Sequence, residues 1–256
     1  MKIGILGAMQ EEVGCLEGYL QNIIPTETGQ RTYLTGSFHH AQVTVVFSRW
    51  GKVAAASTVT TLIERFGVEL VLFIGVAGAA DASLNVGDIV VATDLMQYDM
   101  DASALRIFQK HEIPLLNRKV FPILPQYVSL ASECAHAFLQ KDFTHLVSAE
   151  IRNEFSMSHP KVAQGLIASG DQFIADKEII RALRKELPGL LCIEMEGGAV
   201  AQVCYEHNVP LMVIRVISDK ANHEAAMDFP KFVAKASSFM SGGVAHNVLT
   251  RLTSSK

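Results

Sequence analysis

Glu194 and Glu196 stand two residues apart, and Arg215, Ser218 and Asp219 follow in the same stretch, LCIEMEGGAVAQVCYEHNVPLMVIRVISD (191–219). One carboxyl that keeps a proton and another that has lost it are the two halves of general acid–base work. Asp219 is the candidate acid, although Ser218-Asp219 after a strand, taken alone, favours a helix cap or turn. It lies just past an apolar run, where partial desolvation lifts a carboxyl above its usual value of about 3.9. Ser218 beside it is placed to hold its orientation. Arg215 interrupts the apolar run and must be paired. An ion pair with Glu194 and a direct role in the chemistry are both open. A further carboxylate, Glu12, falls three residues after Met9 and four before Leu16. It shares the apolar stripe of Met9, Val13, Leu16 and Leu20, whereas Glu11 simply complements the positive end of a helix dipole. A carboxylate on such a stripe is unusual, and a solvated partner for the dipole would point outward.

These groups need a frame. Residues 191–194 read as a short strand, Gly197 and Gly198 as a tight turn, and Ala199, Val200, Val203 and Cys204 as one helix face. Asn208, Val209 and Pro210 stop that helix. LMVIRVI (211–217) reads as a strand buried on both faces. This βαβ reading sets the carboxylates and Arg215 at one end of neighbouring parallel strands, the edge where open α/β sheets bind ligands. Upstream, residues 2–7 predict a strand and Ala8 onward a helix. Residues 30–38 and 41–49 predict a hairpin, and 51–66 a helix burying Val53, Ala56, Thr60 and Ile63. LVLFIGVAG (70–78) predicts a third buried strand, whose Gly75, Ala77 and Gly78 let a ligand approach the backbone closely. A strand over 86–92, an irregular segment over 97–126 and a helix over 128–139 follow. After a strand over 161–171, Asp176 caps a helix carrying Ile179, Ile180, Leu183 and Leu187. ANHEAAMD (221–228) reads as a polar loop, and a long helix starts at Phe229. The expectation is one α/β domain over 1–256, with a central mixed, twisted sheet flanked by helices.

Composition narrows the function. The 256 residues are 49% hydrophobic and 19% charged, which suits a large core rather than disorder. The net charge is −4 without a basic block, so no nucleic-acid footprint is present. No apolar run reaches the roughly 18 residues that span a bilayer. The N-terminal apolar run meets Glu11 and Glu12 too soon for a signal peptide. Cys15, Cys134, Cys192 and Cys204 form no C-x-x-C pair and read as small hydrophobes in a reducing, cytoplasmic setting. His39–His40 has no ligand spacing around it, so no metal is expected. The glycines after residue 74 do not form a dinucleotide fingerprint.

Four segments together carry a family resemblance: KIGILGAMQEEV (2–13), GKVAAA (51–56), SGDQFI (169–174) and CIEMEG (192–197) continued by VIRVISD (213–219). In this order they resemble the 5′-methylthioadenosine/S-adenosylhomocysteine nucleosidases of the nucleoside phosphorylase superfamily, from residue 2 to about the chain's end. The resemblance implies a three-layer nucleoside phosphorylase-like architecture and hydrolysis of an N-glycosidic bond to adenine. The substrates implied are methylthioadenosine, adenosylhomocysteine and 5′-deoxyadenosine, with a place in methionine salvage and no cofactor. Asp219 then protonates N7 of the base, Glu12 activates water and Glu196 binds the ribose hydroxyls, sharing the water with Arg215. Two carboxylates flanking the scissile bond are the general solution in sugar chemistry. Phe173 stacks on adenine, Ile174 offers its backbone, and Met195 packs on the sugar. Trp50 and Phe229 line the 5′ end, with Met9, Ala77, Gly78, Glu194 and Ser218 completing the pocket. The resemblance also implies a homodimer in which residues 98–115 help close the partner's pocket. Val76 departs from the small polar residue common after Gly75, Trp50 from an aliphatic one, and YDMDAS (98–103) from the commonest pattern.

Three other readings remain. A purine nucleoside phosphorylase needs cations for phosphate, and the first 48 residues hold only Lys2, Arg31 and none nearer Glu12. A non-catalytic nucleoside-binding protein would have no use for Glu12, Glu196 and Asp219. A nucleosidase for AMP or a futalosine-type compound would want basic groups near Trp50 and Phe229, where Lys52 and Lys231 are close in sequence.

Overall fold

The apolar runs become ten strands in a computed structural model that describes residues 1–254. They are β1 (Lys2–Gly7), β2 (Gln21–Thr28), β3 (Arg31–Phe38), β4 (Ala41–Phe47), β5 (Leu70–Ala79), β6 (Ile89–Gln97), β7 (Phe121–Pro122), β8 (Val162–Ser169), β9 (Leu190–Glu194) and β10 (Leu211–Asp219). The helices are α1 (Gln10–Val13), α2 (Lys52–Phe66), α3 (Pro125–Ala137), α4 (Phe143–Leu146), α5 (Ala149–Glu154), α6 (Lys177–Glu186), α7 (Gly197–Glu206), α8 (Ala225–Phe232) and α9 (Ser238–Thr253). The strands form one mixed sheet in the order β10-β6-β8-β9-β5-β1-β4-β3-β2, with β7 on β6. Because β10 also pairs with β5, one half of the sheet closes into a ring of five strands. The other half opens outward to β2, where Pro25 sits opposite Leu34. Helices α2 and α7 pack together as one layer, and α1, α3 and α9 as another. This is the expected α/β class with a helix-flanked mixed sheet.

The ring corrects the expected strand neighbours. β9 and β10 are consecutive strands joined by α7, yet they are not paired. β9 runs parallel to β8 and meets the tip of β5 antiparallel, at Gly78 and Ala79. β10 runs parallel to β5 and antiparallel to β6. Continuity in the chain therefore does not translate into adjacency, because β5 lies between the two. β10 is buried along its whole length, in the middle of the ring and under helices. Near its end the register with β5 slips: Ile217 faces Ala77, and Asp219 faces Gly78. Ser218 is the extra residue, and a bulge of this kind re-aims side chains at a sheet edge.

Other expectations shift locally. The first helix is a single α-turn followed by a 3-10 stretch, Gly14–Tyr19, in keeping with the low helix propensity of Gly14 and Gly18. Its stripe survives, since Val13, Leu16 and Leu20 are buried with Glu12. α2 buries Ala55, Thr58, Val59 and Leu62 rather than the face expected, and Val53 is 83% exposed. Alanines and threonines give that helix little polar contrast, and Thr58 is content inside because its hydroxyl donates to the Ala54 carbonyl. The strand expected over 86–92 starts at Ile89 instead, after a turn in which Asn85 donates its amide to the Asp88 carboxylate. Helix also begins at Ala225, inside the expected loop, and passes through a π-turn at Val233–Ser237. The hairpin, the irregular 97–126 region up to Pro125, and the Asp176 cap, which accepts from the Glu178 amide, are as expected. No helix among the described residues is long and apolar enough to cross a membrane.

One contact fixes α7 on the sheet. A Cβ at Gly198 would lie 2.6 Å from the Met96 carbonyl oxygen, which is backbone and cannot swing aside. The Gly198 amide also donates to Ser169 Oγ at 2.6 Å. Gly198→Ala is expected to destabilise the protein by about 1–3 kcal/mol, the cost of overpacking, in denaturant titration. A midpoint equal to wild type would refute this close approach.

Candidate functional site

Four carboxylates and one aromatic rim meet over the ring. Glu12 is 2% exposed and its carboxylate is bound entirely by backbone. Oε2 accepts from the amides of Ala8 (2.6 Å) and Met9 (3.0 Å), the free donors at the start of α1. Oε1 accepts from the Val76 amide on β5 at 3.0 Å. Gly75 makes room, since a Cβ there would lie 2.5 Å from Oε1. Burial raises the Glu12 carboxyl above its ordinary value, against the pull of Arg215 and the three amides.

Glu196 is the residue immediately before α7, and its Oε1 accepts from the Gly51 amide at 2.7 Å. Burial, reinforced by the neighbouring Glu194 charge, lifts its pKa to about 8 despite Arg215. Asp219 ends β10 just beyond the bulge. Its Oδ2 accepts from Ser218 Oγ and its Oδ1 from the Ala221 amide, both at 2.8 Å. Burial again raises its pKa, and those two hydrogen bonds oppose the rise. Ser218 thus holds Asp219 as the sequence reading expected.

Glu194 and Arg215 form the floor. Arg215 Nη2 donates to Glu194 Oε2 at 2.5 Å, and its guanidinium carbon lies 3.9 Å from the centre of the Phe73 ring. Glu194 also accepts from the Gly197 amide, at 2.8 and 3.0 Å, and from the Ser169 hydroxyl. Arg215 is 1% exposed and does not line the cavity; it sits behind the carboxylates. Its Nε and Nη1 have no hydrogen-bond partner among the described residues, so its charge acts by proximity.

One cavity is lined by Glu12, Glu194, Glu196 and Asp219 together. Met9, Val76, Ala77, Gly78, Met195 and Ser218 continue its wall. Phe173, Ile174, Trp50 and Phe229 line it as well. Phe229 is the hinge of the aromatic rim, edge-on to Trp50 (centroids 6.0 Å) and to Phe173 (5.3 Å). Every predicted site residue except Arg215 therefore faces one space. Ala8, Gln172 and Ile193 also line it and were not predicted. Gln172 was within reach, lying inside SGDQFI, whereas Ala8 and Ile193 carry no chemical signal. The roles of the Gly51 amide and of Ser169 were equally silent. A cavity with one carboxyl suspended on amides, another on a serine, and an open aromatic face suits acid–base chemistry on a flat ligand. No group of three or more His, Cys, Asp or Glu among the described residues converges as a metal site.

The comparisons with known proteins agree in direction. A family model described as the phosphorylase superfamily matches residues 2–246. The 5′-methylthioadenosine/S-adenosylhomocysteine nucleosidase of Anoxybacillus flavithermus is 35% identical over 236 residues, 92% of this chain and 93% of that protein. Among solved structures, the nucleosidase of the same description from Colwellia psychrerythraea, in complex with adenine, superimposes with a TM-score of 0.85 at 33% identity, covering 98% of this chain and 96% of that one. Futalosine hydrolase of Helicobacter pylori has a TM-score of 0.83 at 34% identity, with 98% of each chain covered.

Glu196 should leave a mark on stability. Its pKa is about 8 folded and near 4.5 when exposed, so between those values the folded chain holds the extra proton. Its stabilising contribution is present below the lower value and is lost as pH rises through the higher one. Glu196→Gln keeps the acceptor for Gly51 and is expected to shrink the fall in melting temperature between pH 5 and 9. Parallel wild-type and variant curves would contradict the assignment.

Proposed function

From the chain's membership of the phosphorylase superfamily, among the 5′-methylthioadenosine/S-adenosylhomocysteine nucleosidases, we propose how its own residues cleave the N-glycosidic bond of these nucleosides. The enzyme is an N-glycosyl hydrolase. Adenine sits against Phe173, with the Ile174 backbone at its edge; base–aromatic stacking is worth about 1–3 kcal/mol in nucleic-acid systems. Asp219 gives its proton to N7, so the base departs neutral as the bond from C1′ to N9 breaks. Glu196 accepts from the ribose hydroxyls, and Met195 packs on the sugar. Glu12 takes a proton from water as the oxygen bonds to C1′, giving adenine and the 5-substituted ribose. Met9, Trp50 and Phe229 line the 5′ end, an apolar setting for a methylthio or homocysteine group and for the hydrogen of 5′-deoxyadenosine. Arg215 acts from behind as a positioning group.

The observation that carries this reading is that Glu12 and Asp219 line the same cavity while hanging from different elements. Phosphorolysis fits poorly. The cavity lining holds four carboxylates and no lysine or arginine among the described residues, so a phosphate dianion would meet like charge. Arg31 is turned to the carbonyls of Gly29 and Ser48. A mere binding protein would not need three carboxyls with raised pKa values in one pocket.

Adenine release is expected in phosphate-free buffer, with free ribose rather than its 1-phosphate as coproduct. Methylthioadenosine, adenosylhomocysteine, 5′-deoxyadenosine, AMP and futalosine as arms rank the 5′ groups. Glu12→Gln and Asp219→Asn should each lower kcat by about 10²–10⁴-fold with nucleoside binding retained. Both carboxyls are raised, Glu12 must be ionised and Asp219 protonated. Rate should therefore fall as pH drops through the Glu12 value and as it rises through the Asp219 value. Strict dependence on phosphate, or full activity in either variant, would overturn the scheme.

The same reading includes a homodimer in which residues 98–115 approach the partner's cavity. Leu105, Ile107 and Leu115 in that segment are 65%, 76% and 89% exposed, an apolar group that a second copy would cover. Sedimentation should give twice the 27.9 kDa chain mass. A monomer at micromolar concentration would remove the dimer from the proposal.

A further inference from the structure

Helix α2 begins without a cap of its own. Gly51 stands at its N-cap position with φ +91°, and no side chain there accepts a hydrogen bond from the first turn. The missing acceptor comes from another part of the chain. Asp171 Oδ1 accepts from the Lys52 amide at 2.8 Å. One residue earlier, the Gly51 amide is held by Glu196. Two successive amides thus bind two carboxylates, Glu196 lining the cavity and the exposed Asp171 one residue before the lining Gln172.

A third segment closes the circuit. Asp99, just past β6, accepts from the Asp171 amide at 3.0 Å through Oδ2 and from Lys52 Nζ at 2.5 Å through Oδ1. Lys52 Nζ also lies 3.8 Å from Asp171 Oδ2. Tyr98 supports the arrangement: its amide donates to the Ser169 carbonyl at 2.9 Å, and its ring occupies the space a Cβ on Gly170 would need. The start of α2, the end of β6 and the loop carrying Phe173 and Ile174 are thereby tied in a closed cycle.

We propose that Lys52, Asp99 and Asp171 form a latch that sets the distance between the base-stacking loop and the ribose-binding carboxylate. They are positioning residues, since none of them lines the cavity. The proposal rests on the assignment of Phe173 to the base and Glu196 to the sugar. Those two contacts sit on separate elements, and a bound nucleoside must reach both at once. Geometry held by remote groups is worth large factors in rate when a misplacement of about 1 Å is at stake. The latch also neutralises Lys52, so this charge is not free for an anionic 5′ group.

The test uses the full-length enzyme carrying Asp171→Ala, Asp171→Asn, Asp99→Ala or Lys52→Met. Asp171→Ala is expected to raise KM at least fivefold and lower kcat/KM at least tenfold. Asp171→Asn retains an acceptor for the Lys52 amide and should recover most of that loss. Hydrogen exchange of segments 49–55 and 170–176 reads the latch without any substrate. Exchange should rise in both segments in Asp99→Ala, although the substituted residue belongs to neither. A rise in neither or only one segment, or equal losses of kcat/KM in the alanine and asparagine variants, would overturn the latch. If wild type releases no adenine, the functional assignment falls, and the exchange data still decide whether the three segments are coupled.

Discussion

A buried guanidinium underlies the site. Three carboxylates, those of Glu12, Glu194 and Glu196, lie within the field of Arg215. Removing so many like charges from water costs several kcal/mol for each ion, and one cation cannot repay that sum. Only Glu194 takes a direct ion pair. For Glu12 and Glu196 burial outweighs the attraction, so their carboxyls keep their protons more tightly than in water. The imbalance between burial and charge is therefore the source of the raised pKa values of these two carboxyls. Phe73 covers one face of the guanidinium and keeps it dry.

Backbone amides supply the remaining negative-charge stabilisation, and the sheet decides which amides are available. Val76 offers its N–H to Glu12 because β5 passes beside α1 at the middle of the sheet. Ala221 offers its own to Asp219 in the turn after the bulge. Closure of the ring brings β9 against the tip of β5 while β10 runs along its length. Residues far apart in the chain thus converge without any long loop having to carry the chemistry.

Much of this was legible in the residues. The apolar runs of β5 and β10 are long and uninterrupted enough to declare themselves, and Glu12 stands out because it breaks an apolar stripe. Asp219's place at the end of such a run was readable, whereas a strand-end Ser-Asp pair by itself also suits a turn or helix cap. Strand adjacency was not, because LCIEMEG and LMVIRVISD follow one another in the chain while β5 intervenes in space. The face of α2 was misread by one position because small residues flank both candidate faces. The position of Arg215 behind the wall depends on side-chain direction within a strand buried on both sides, where alternation carries no polar signal. Amide donors such as Gly51 have no side chain to announce them.

The sheet's topology also bears on self-association. A strand margin with unpaired backbone groups is a template for other chains. Here ring closure removes one margin altogether, and the two-residue β7 offers almost none. The long margin that remains is β2, which exposes Ile24 yet places Pro25 in mid-strand, where a hydrogen-bond donor is missing. Among the described residues, a proline on this extended border works as a terminator, discouraging the stepwise addition of strands by which sheets grow into fibrils.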